Sequence, residues 1–262
     1  MRIAIAGANG RMGRMLVEAV LNNSDLSLAA ALCVPGAPEE SKDAAEFLGQ
    51  ESGVKITSDL SVLSDADCLI DFTRPEGTME HLKACKAHNV KMVIGTTGFS
   101  AEQLAELEAA GNEIAVLFSP NMSIGVNALY VLLEKAAQMF DDQYDVEVYE
   151  AHHRNKVDAP SGTALKMAEV VAEAKGRKLD DVADWARHGI TGVREHGRIG
   201  FSVFRGGDVI GDHTVTFAGP GERIELTHKA TNRTIYASGS MQAALFLKDK
   251  DKGFYSMRDV IA

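Results

Sequence analysis

From the first residue, apolar and polar positions alternate between two kinds of pattern. Met1 to Ala6 reads as a short buried strand, Gly7 to Gly13 as a tight turn, Arg14 to Leu21 as a helix with Leu16, Val17 and Val20 on its apolar side, and Leu26 to Leu32 as a second strand. These strands are nearly all apolar, as expected when helices cover both faces of a parallel sheet. Val34 to Ser52, rich in Pro, Gly and acids and without a clear period, reads as a mobile loop with one helical turn. The alternation then resumes. Strands are expected at Val54 to Thr57, Cys68 to Phe72, Lys91 to Gly95 and Ile114 to Ser119, and helices near Leu60, at Glu76 to Asn89 and at Ala101 to Ala110. Such an order predicts a doubly wound, Rossmann-like α/β sheet.

A long helix, Ile124 to Phe140, leads out of this region, and the pattern changes after it. Tyr144 to Ala151 reads as a strand and Thr163 to Ala174 as a helix. The runs from Ile199, His213 and Ile224 alternate with period two, one face apolar and the other polar. They predict a C-terminal α+β domain with an open, mixed, mostly antiparallel sheet. Its apolar face needs a cover, from helices in part and from a second subunit. A last helix, Ile235 to Leu247, is free by pattern to pack on either domain.

Composition narrows the function classes. The 262-residue chain is 45% hydrophobic and 24% charged, ordinary for a globular protein with a full core. A formal charge of −10 argues against nucleic acid. The N-terminus lacks the long apolar core of a signal peptide, and no run approaches the roughly 18 apolar residues of a membrane span, so a soluble cytoplasmic protein is expected. Cys33, Cys68 and Cys85 have no metal-ligand spacing, and no metal is expected.

The glycine turn follows a strand and opens a helix, so bare N–H groups and a positive helix end can face a pyrophosphate. Its spacing, Gly-x-x-Gly-x-x-Gly, is a looser variant of the dinucleotide fingerprint. The acid that normally closes the second strand and takes the ribose hydroxyls is missing; the chain reads Leu32-Cys33-Val34-Pro35. Arg11 either meets a 2′-phosphate or is a solvated surface residue. Gly95-Thr96-Thr97-Gly98, Ser119-Pro120-Asn121-Met122-Ser123 and Asp71-Phe72-Thr73 follow three further strands, where ligands of such sheets lie.

The sharpest feature runs from Glu150 to Ala164. His152, His153, Arg154 and Lys156 place four cationic or titratable groups within five residues of an acidic protein. A histidine there can deliver a proton near neutrality while lysine and arginine hold anions. Ser161-Gly162-Thr163 opens the following helix and offers a capping hydroxyl and N–H groups for a carboxylate.

Gly7-Ala8-Asn9-Gly10-Arg11-Met12-Gly13, Asp71-Phe72-Thr73, Gly95-Thr96-Thr97-Gly98 and above all His152-His153 through Ser161-Gly162-Thr163 resemble the 4-hydroxy-tetrahydrodipicolinate reductase (dihydrodipicolinate reductase) family over essentially the whole chain. The resemblance implies reduction of a cyclic dicarboxylate to tetrahydrodipicolinate with NADH or NADPH, on the diaminopimelate route to lysine. It implies a dinucleotide-binding domain over 1–123 completed by 233–262, a substrate-binding and tetramerisation domain over 124–232, and a homotetramer built by joining the C-terminal sheets. It makes His152 and Lys156 the proton-transfer pair, and His153, Gly162 and Thr163 the substrate-binding residues. Gly7, Ala8, Asn9, Gly10, Arg11, Met12, Gly95, Thr96, Thr97, Ser119, Pro120, Asn121 and Met122 become the cofactor contacts. Members often carry an acid, sometimes followed by arginine, where this chain has Cys33 and Val34, so use of both cofactors is expected. Two other readings stand beside this one: a nicotinamide dehydrogenase of another small amino or keto acid, and a cofactor-sensing protein without turnover.

Overall fold

The computed structural model describes all 262 residues. In chain order the elements are β1 (Arg2–Ile5), α1 (Arg11–Leu21), β2 (Ser27–Leu32), β3 (Ile56–Thr57), β4 (Cys68–Asp71), α2 (Pro75–His88), β5 (Lys91–Ile94), α3 (Ala101–Ala110), β6 (Ala115–Phe118), α4 (Ile124–Met139), β7 (Asp145–His152), α5 (Gly162–Ala174), α6 (Leu179–Val182), β8 (Ala183–Asp184), β9 (Ile199–Arg205), β10 (Gly211–Gly219), β11 (Glu222–Ala230), α7 (Thr234–Leu247), β12 (Gly253–Tyr255) and α8 (Met257–Ile261). They form two compact units, Met1–Ile124 with Thr234–Ala262, and Gly125–Arg233. No helix is long and apolar enough to cross a membrane.

The first unit is built on a seven-stranded sheet in the order β12-β6-β5-β4-β1-β2-β3, every pairing parallel. Both faces are buried, which explains the apolar runs. Ile3 and Ile5 enter a core shared with α1 and α7, while their neighbours Ala4 and Ala6 enter the opposite core beneath α2 and α3. Cys68 and Cys85 are fully buried core thiols, and burial pushes the Cys68 thiol up to about 12. In this unit two elements went unexpected, β12, which pairs with β6 at the edge of the sheet, and the helix α8 that follows it. Helix α7 packs in this unit, and a Cβ at Gly239 would lie 1.8 Å from the Met122 carbonyl oxygen, so only glycine permits that approach. Lys91 Nζ donates to the carbonyls of Leu247 and Lys248 at the helix's end, 2.9 and 2.6 Å.

Helix α1 starts at Arg11, three residues earlier than the apolar pattern suggests, which puts Gly13 in its first turn. The segment after β2, expected as a mobile loop, carries one 3₁₀ turn, Glu46–Leu48, and is held by its own acids. Asp43 accepts from the N–H groups of Ala45, Ser52 and Gly53, and Glu40 from those of Gly36 and Ser58.

The second unit carries a mixed sheet in the order β11-β10-β7-β9-β8. Its two longer pairings at β10 include nine and seven antiparallel positions, and the β7–β9 and β9–β8 pairings are parallel. Val146, Val148, Phe201, Val215 and Phe217 form one face and are buried under Leu129, Leu133 and Ala137 of α4 and Met167, Ala168 and Val171 of α5. The helices cover this face over β7 and β10, while Ile224 of β11 and Val203 of β9, on the same face by register, stay exposed, in keeping with the expectation that helices cover it in part. What lies open is the polar face, where Thr214 and Thr227 pair across strands and Tyr149 and Phe204 are exposed. The period-two reading located the two faces correctly, and the helices of the same unit cover the apolar one in part.

Candidate active site

At the end of β7 the chain turns a glutamate inward. Glu150 is fully buried, a position a carboxylate tolerates only with matched donors. It has four. Arg205, at the end of β9, donates from Nη1 to Oε2 and from Nη2 to Oε1, both at 2.7 Å. The Ser161 N–H donates to Oε1 at 2.9 Å, and His152 Nδ1 lies 2.7 Å from Oε2. A carboxylate only accepts, so Nδ1 carries the hydrogen and Nε2 is the imidazole's second nitrogen. Burial opposes the charge on Glu150, but Arg205, His152 and the Ser161 amide outweigh it and hold the carboxyl below its usual range.

His152 is itself mostly buried, against Gly211, where a Cβ would lie 3.1 Å from Nε2. Burial lowers its pKa; Glu150 works against that fall, while the charges of Lys156 and Arg205 add to it. On β10, the strand paired with β7, His213 stands edge-on to His152 with ring centroids 5.0 Å apart, and its Nε2 is 3.0 Å from Ser161 Oγ. The same hydroxyl accepts from the Ala164 N–H at 3.2 Å and caps α5. No acid occupies the first turn of α5, and a Cβ at Gly162 would meet nothing, so the helix start is positive and open at Gly162. His153 is half-buried, its Nε2 3.5 Å from Arg233, and Lys156 pairs with Asp158 at 2.8 Å. One buried anion thus organises a histidine, a helix N-terminus and a lysine-bearing loop.

In the first unit the chemistry gathers at the strand ends. Gly7 takes a left-handed φ of 62°, and a Cβ on Gly13 would lie 2.0 Å from the Gly7 carbonyl oxygen, so turn and helix meet backbone to backbone. Helix α1 has no side-chain cap and no acid in its first turn, unlike α3 with its Ser100–Gln103 capping box. Its free N–H groups suit a pyrophosphate, so the residues present fit a dinucleotide. Arg11 is exposed. Beside the turn, buried Asp71 gathers the N–H and hydroxyl of Thr73 at 2.8 and 2.7 Å, Thr96 Oγ1 at 3.3 Å and His81 Nδ1 at 2.7 Å. This ties Gly95-Thr96-Thr97 to the end of β4. Gly95 admits nothing larger, since a Cβ would lie 2.2 Å from the Phe72 ring. Ser119 and Asn121 shape the third strand end, Ser119 Oγ donating to the Asn121 carbonyl at 2.7 Å, with Pro120 exposed and Met122 buried.

Two family models match the chain: "Dihydrodipicolinate reductase, N-terminus" over residues 1–122 and "Dihydrodipicolinate reductase, C-terminus" over 125–261. The chain belongs to the dihydrodipicolinate reductase family. Among curated relatives, the 4-hydroxy-tetrahydrodipicolinate reductase of Herminiimonas arsenicoxydans is 59% identical over 262 residues, covering 100% of this chain and 98% of the relative. That of Burkholderia lata is also 59% identical, with coverage of 100% and 99%. Among solved structures, the dipicolinate-bound dihydrodipicolinate reductase from Paenisporosarcina sp. TG-14 superposes with a TM-score of 0.79 at 28% identity, covering 100% of this chain and 99% of that one. Membership makes the chain a nicotinamide-dependent oxidoreductase, and the activity that goes with it is reduction of 4-hydroxy-tetrahydrodipicolinate, a cyclic dicarboxylate.

For this reductase the expected residues fall in two groups. His152, His153, Lys156, Gly162 and Thr163 share the stretch organised around Glu150, and the glycine-turn, Gly95–Thr97 and Ser119–Met122 sets sit at the ends of β1, β5 and β6 in the other unit. Arg205 and His213 were missed. Each stands alone in a later strand, and only their inward register, Arg205 opposite His152 and His213 opposite Glu150, marks them.

Burial, reinforced by the nearby His152, lowers the His213 pKa to about 4, below the ordinary 6.5. Between those values the unfolded chain takes up a proton that the folded chain refuses, so stability must fall as pH drops. The loss should approach about 3 kcal/mol by pH 4. Denaturant melts from pH 7 to 4 should show this slope reduced in His213→Gln; equal slopes in both proteins would remove His213 as its source.

Proposed function

We propose that the Glu150 cluster is the proton-delivering half of the reductase and that the chain reduces 4-hydroxy-tetrahydrodipicolinate to tetrahydrodipicolinate with either NADH or NADPH, in the cytoplasm, on the diaminopimelate route to lysine. The observation that carries this reading is the hydrogen bond from His152 to a fully buried carboxylate, beside the start of α5, whose first turn carries no acid, on the same short stretch of chain. When bound, the dihydronicotinamide supplies the hydride.

The chain's own residues supply the rest. One substrate carboxylate is held by the N–H groups of Gly162 and Thr163 at the positive end of α5. His153 and Lys156 face the remaining polar atoms. Charge that accumulates on the reduced ring is neutralised by a proton from His152 or Lys156. Glu150 keeps the His152 ring in one tautomer and supports its charged form, which burial alone would disfavour. In the other unit, Gly7 to Met12 cradle the pyrophosphate, and Gly95 to Thr97 with Ser119 to Met122 take the nicotinamide end.

His152→Gln should lower kcat by roughly 10²- to 10³-fold with little change in cofactor Kd. Lys156→Ala should raise KM and lower kcat together. Steady-state assays on synthase-generated substrate, run beside a panel of amino and keto acids, check both points. Wild-type turnover by His152→Gln would remove it as proton donor, and faster reduction of a panel acid would replace the substrate.

The open polar face of the second sheet, with exposed Tyr149 and Phe204, supports assembly of four copies through these sheets, as the family resemblance implies. Sedimentation velocity should give four times the chain mass. The double substitution Tyr149→Asp with Phe204→Asp should give smaller species; a monomeric wild type, or a variant of unchanged mass, would contradict the assignment.

A further inference from the structure

The acid missing from the end of β2 has a replacement in space. Of the five acids in the following segment, two, Glu40 and Asp43, are consumed in holding it. Glu40 bonds the Gly36 and Ser58 N–H groups and, at 2.5 Å, the Ser58 hydroxyl; Asp43 bonds Ala45, Ser52 and Gly53. Another, Glu39, turns toward the glycine turn instead. Its Oε2 accepts from Asn9 Nδ2 at 3.0 Å, and its Oε1 lies 3.8 Å from Arg14 Nη2 on α1. The Asn9 amide, the largest influence on it, keeps the Glu39 carboxyl ionised below its usual range.

Glu39 also lines a cavity of about 270 Å³ between the glycine turn and this segment, with Ala8, Asn9, Arg14, Lys42 and Phe47 among the other walls. Phe47 is 38% exposed there, and the Arg14 guanidinium lies 5.5 Å from its ring centroid. An aromatic face, a planar cation and an ionised acceptor, all beside a pyrophosphate turn, match an adenosine: a base to stack and a diol to accept from.

We propose that Glu39 replaces the strand-end acid, accepting hydrogen bonds from the 2′- and 3′-hydroxyls of the adenosine ribose while the adenine lies against Phe47 and Arg14, so that NADH binds more tightly than NADPH. This rests on the reading that the glycine turn holds a nicotinamide dinucleotide. A carboxylate has about four acceptor sites, and Asn9 takes one, leaving room for a diol. A 2′-phosphate in the same place sets like charges together, and Arg14 and Lys42 offset that repulsion without cancelling it, so NADPH is weakened and not excluded.

The test is equilibrium binding, free of turnover: fluorescence titration of the full chain with NADH and with NADPH, for wild type, Glu39→Ala and Glu40→Ala. Wild type should favour NADH. Glu39→Ala should weaken NADH about tenfold, the size of one charge-assisted hydrogen bond, while NADPH binding stays level or tightens. Glu40→Ala, which loosens the segment without touching the acceptor, should weaken both alike. Equal effects of Glu39→Ala on the two cofactors, or none, would overturn the assignment with the dinucleotide reading intact. A wild type that bound neither cofactor would overturn that reading itself.

Discussion

A carboxylate sealed from water costs several kcal/mol unless its charge and lone pairs are met, and Glu150 is met on every side. Its partners come from three places in the chain: the last residue of β7, the residue that caps α5, and the last residue of β9. Satisfying this one charge therefore fixes both ends of the loop from His153 to Pro160. It also places Ser161 where a single hydroxyl caps α5 and reaches His213. Tautomer of His152, start of α5 and course of the loop are consequences of the same hydrogen bonds. Arg205 suits the task because its rigid fork matches both carboxylate oxygens at once, which a lysine would not.

Asp71 repeats the device in the other unit. It too is fully buried at a strand end, and it gathers Thr73, Thr96 and His81 so that the loops after β4 and β5 share one anchor. Parallel sheets leave their strand ends to irregular backbone, and a buried acid with several donors is a way to give such backbone a single shape. The segment after β2 follows the same rule with Glu40 and Asp43. That segment was expected to be mobile, and its order comes from contacts no periodicity encodes.

What could be read from the chain was what lies close together in it. The strands and helices of the first unit were legible because apolar runs bounded by glycine, proline and small polar residues repeat from Met1 to Ser119. The stretch from Glu150 to Thr163 was legible because the histidines, the lysine and the helix cap are contiguous. Arg205 and His213 were not, since each is one polar residue in an otherwise ordinary strand and only tertiary register brings it to Glu150. Strand β12 escaped because three residues, Gly253–Tyr255, carry too little pattern to register as a strand. Missing acid at Cys33 was visible in the sequence; the acid that stands near the same turn, Glu39, was visible only in space.

The site depends on Glu150 sustaining the charge on His152. Titration of the His152 ring by NMR in the wild type and in Glu150→Gln measures this directly. With the buried carboxylate gone, burial and the charges of Arg205 and Lys156 act on the imidazole unopposed, so its pKa must fall below the wild-type value. A folded Glu150→Gln protein in which His152 titrates where the wild type does, or higher, would contradict the claim that this carboxylate organises the site.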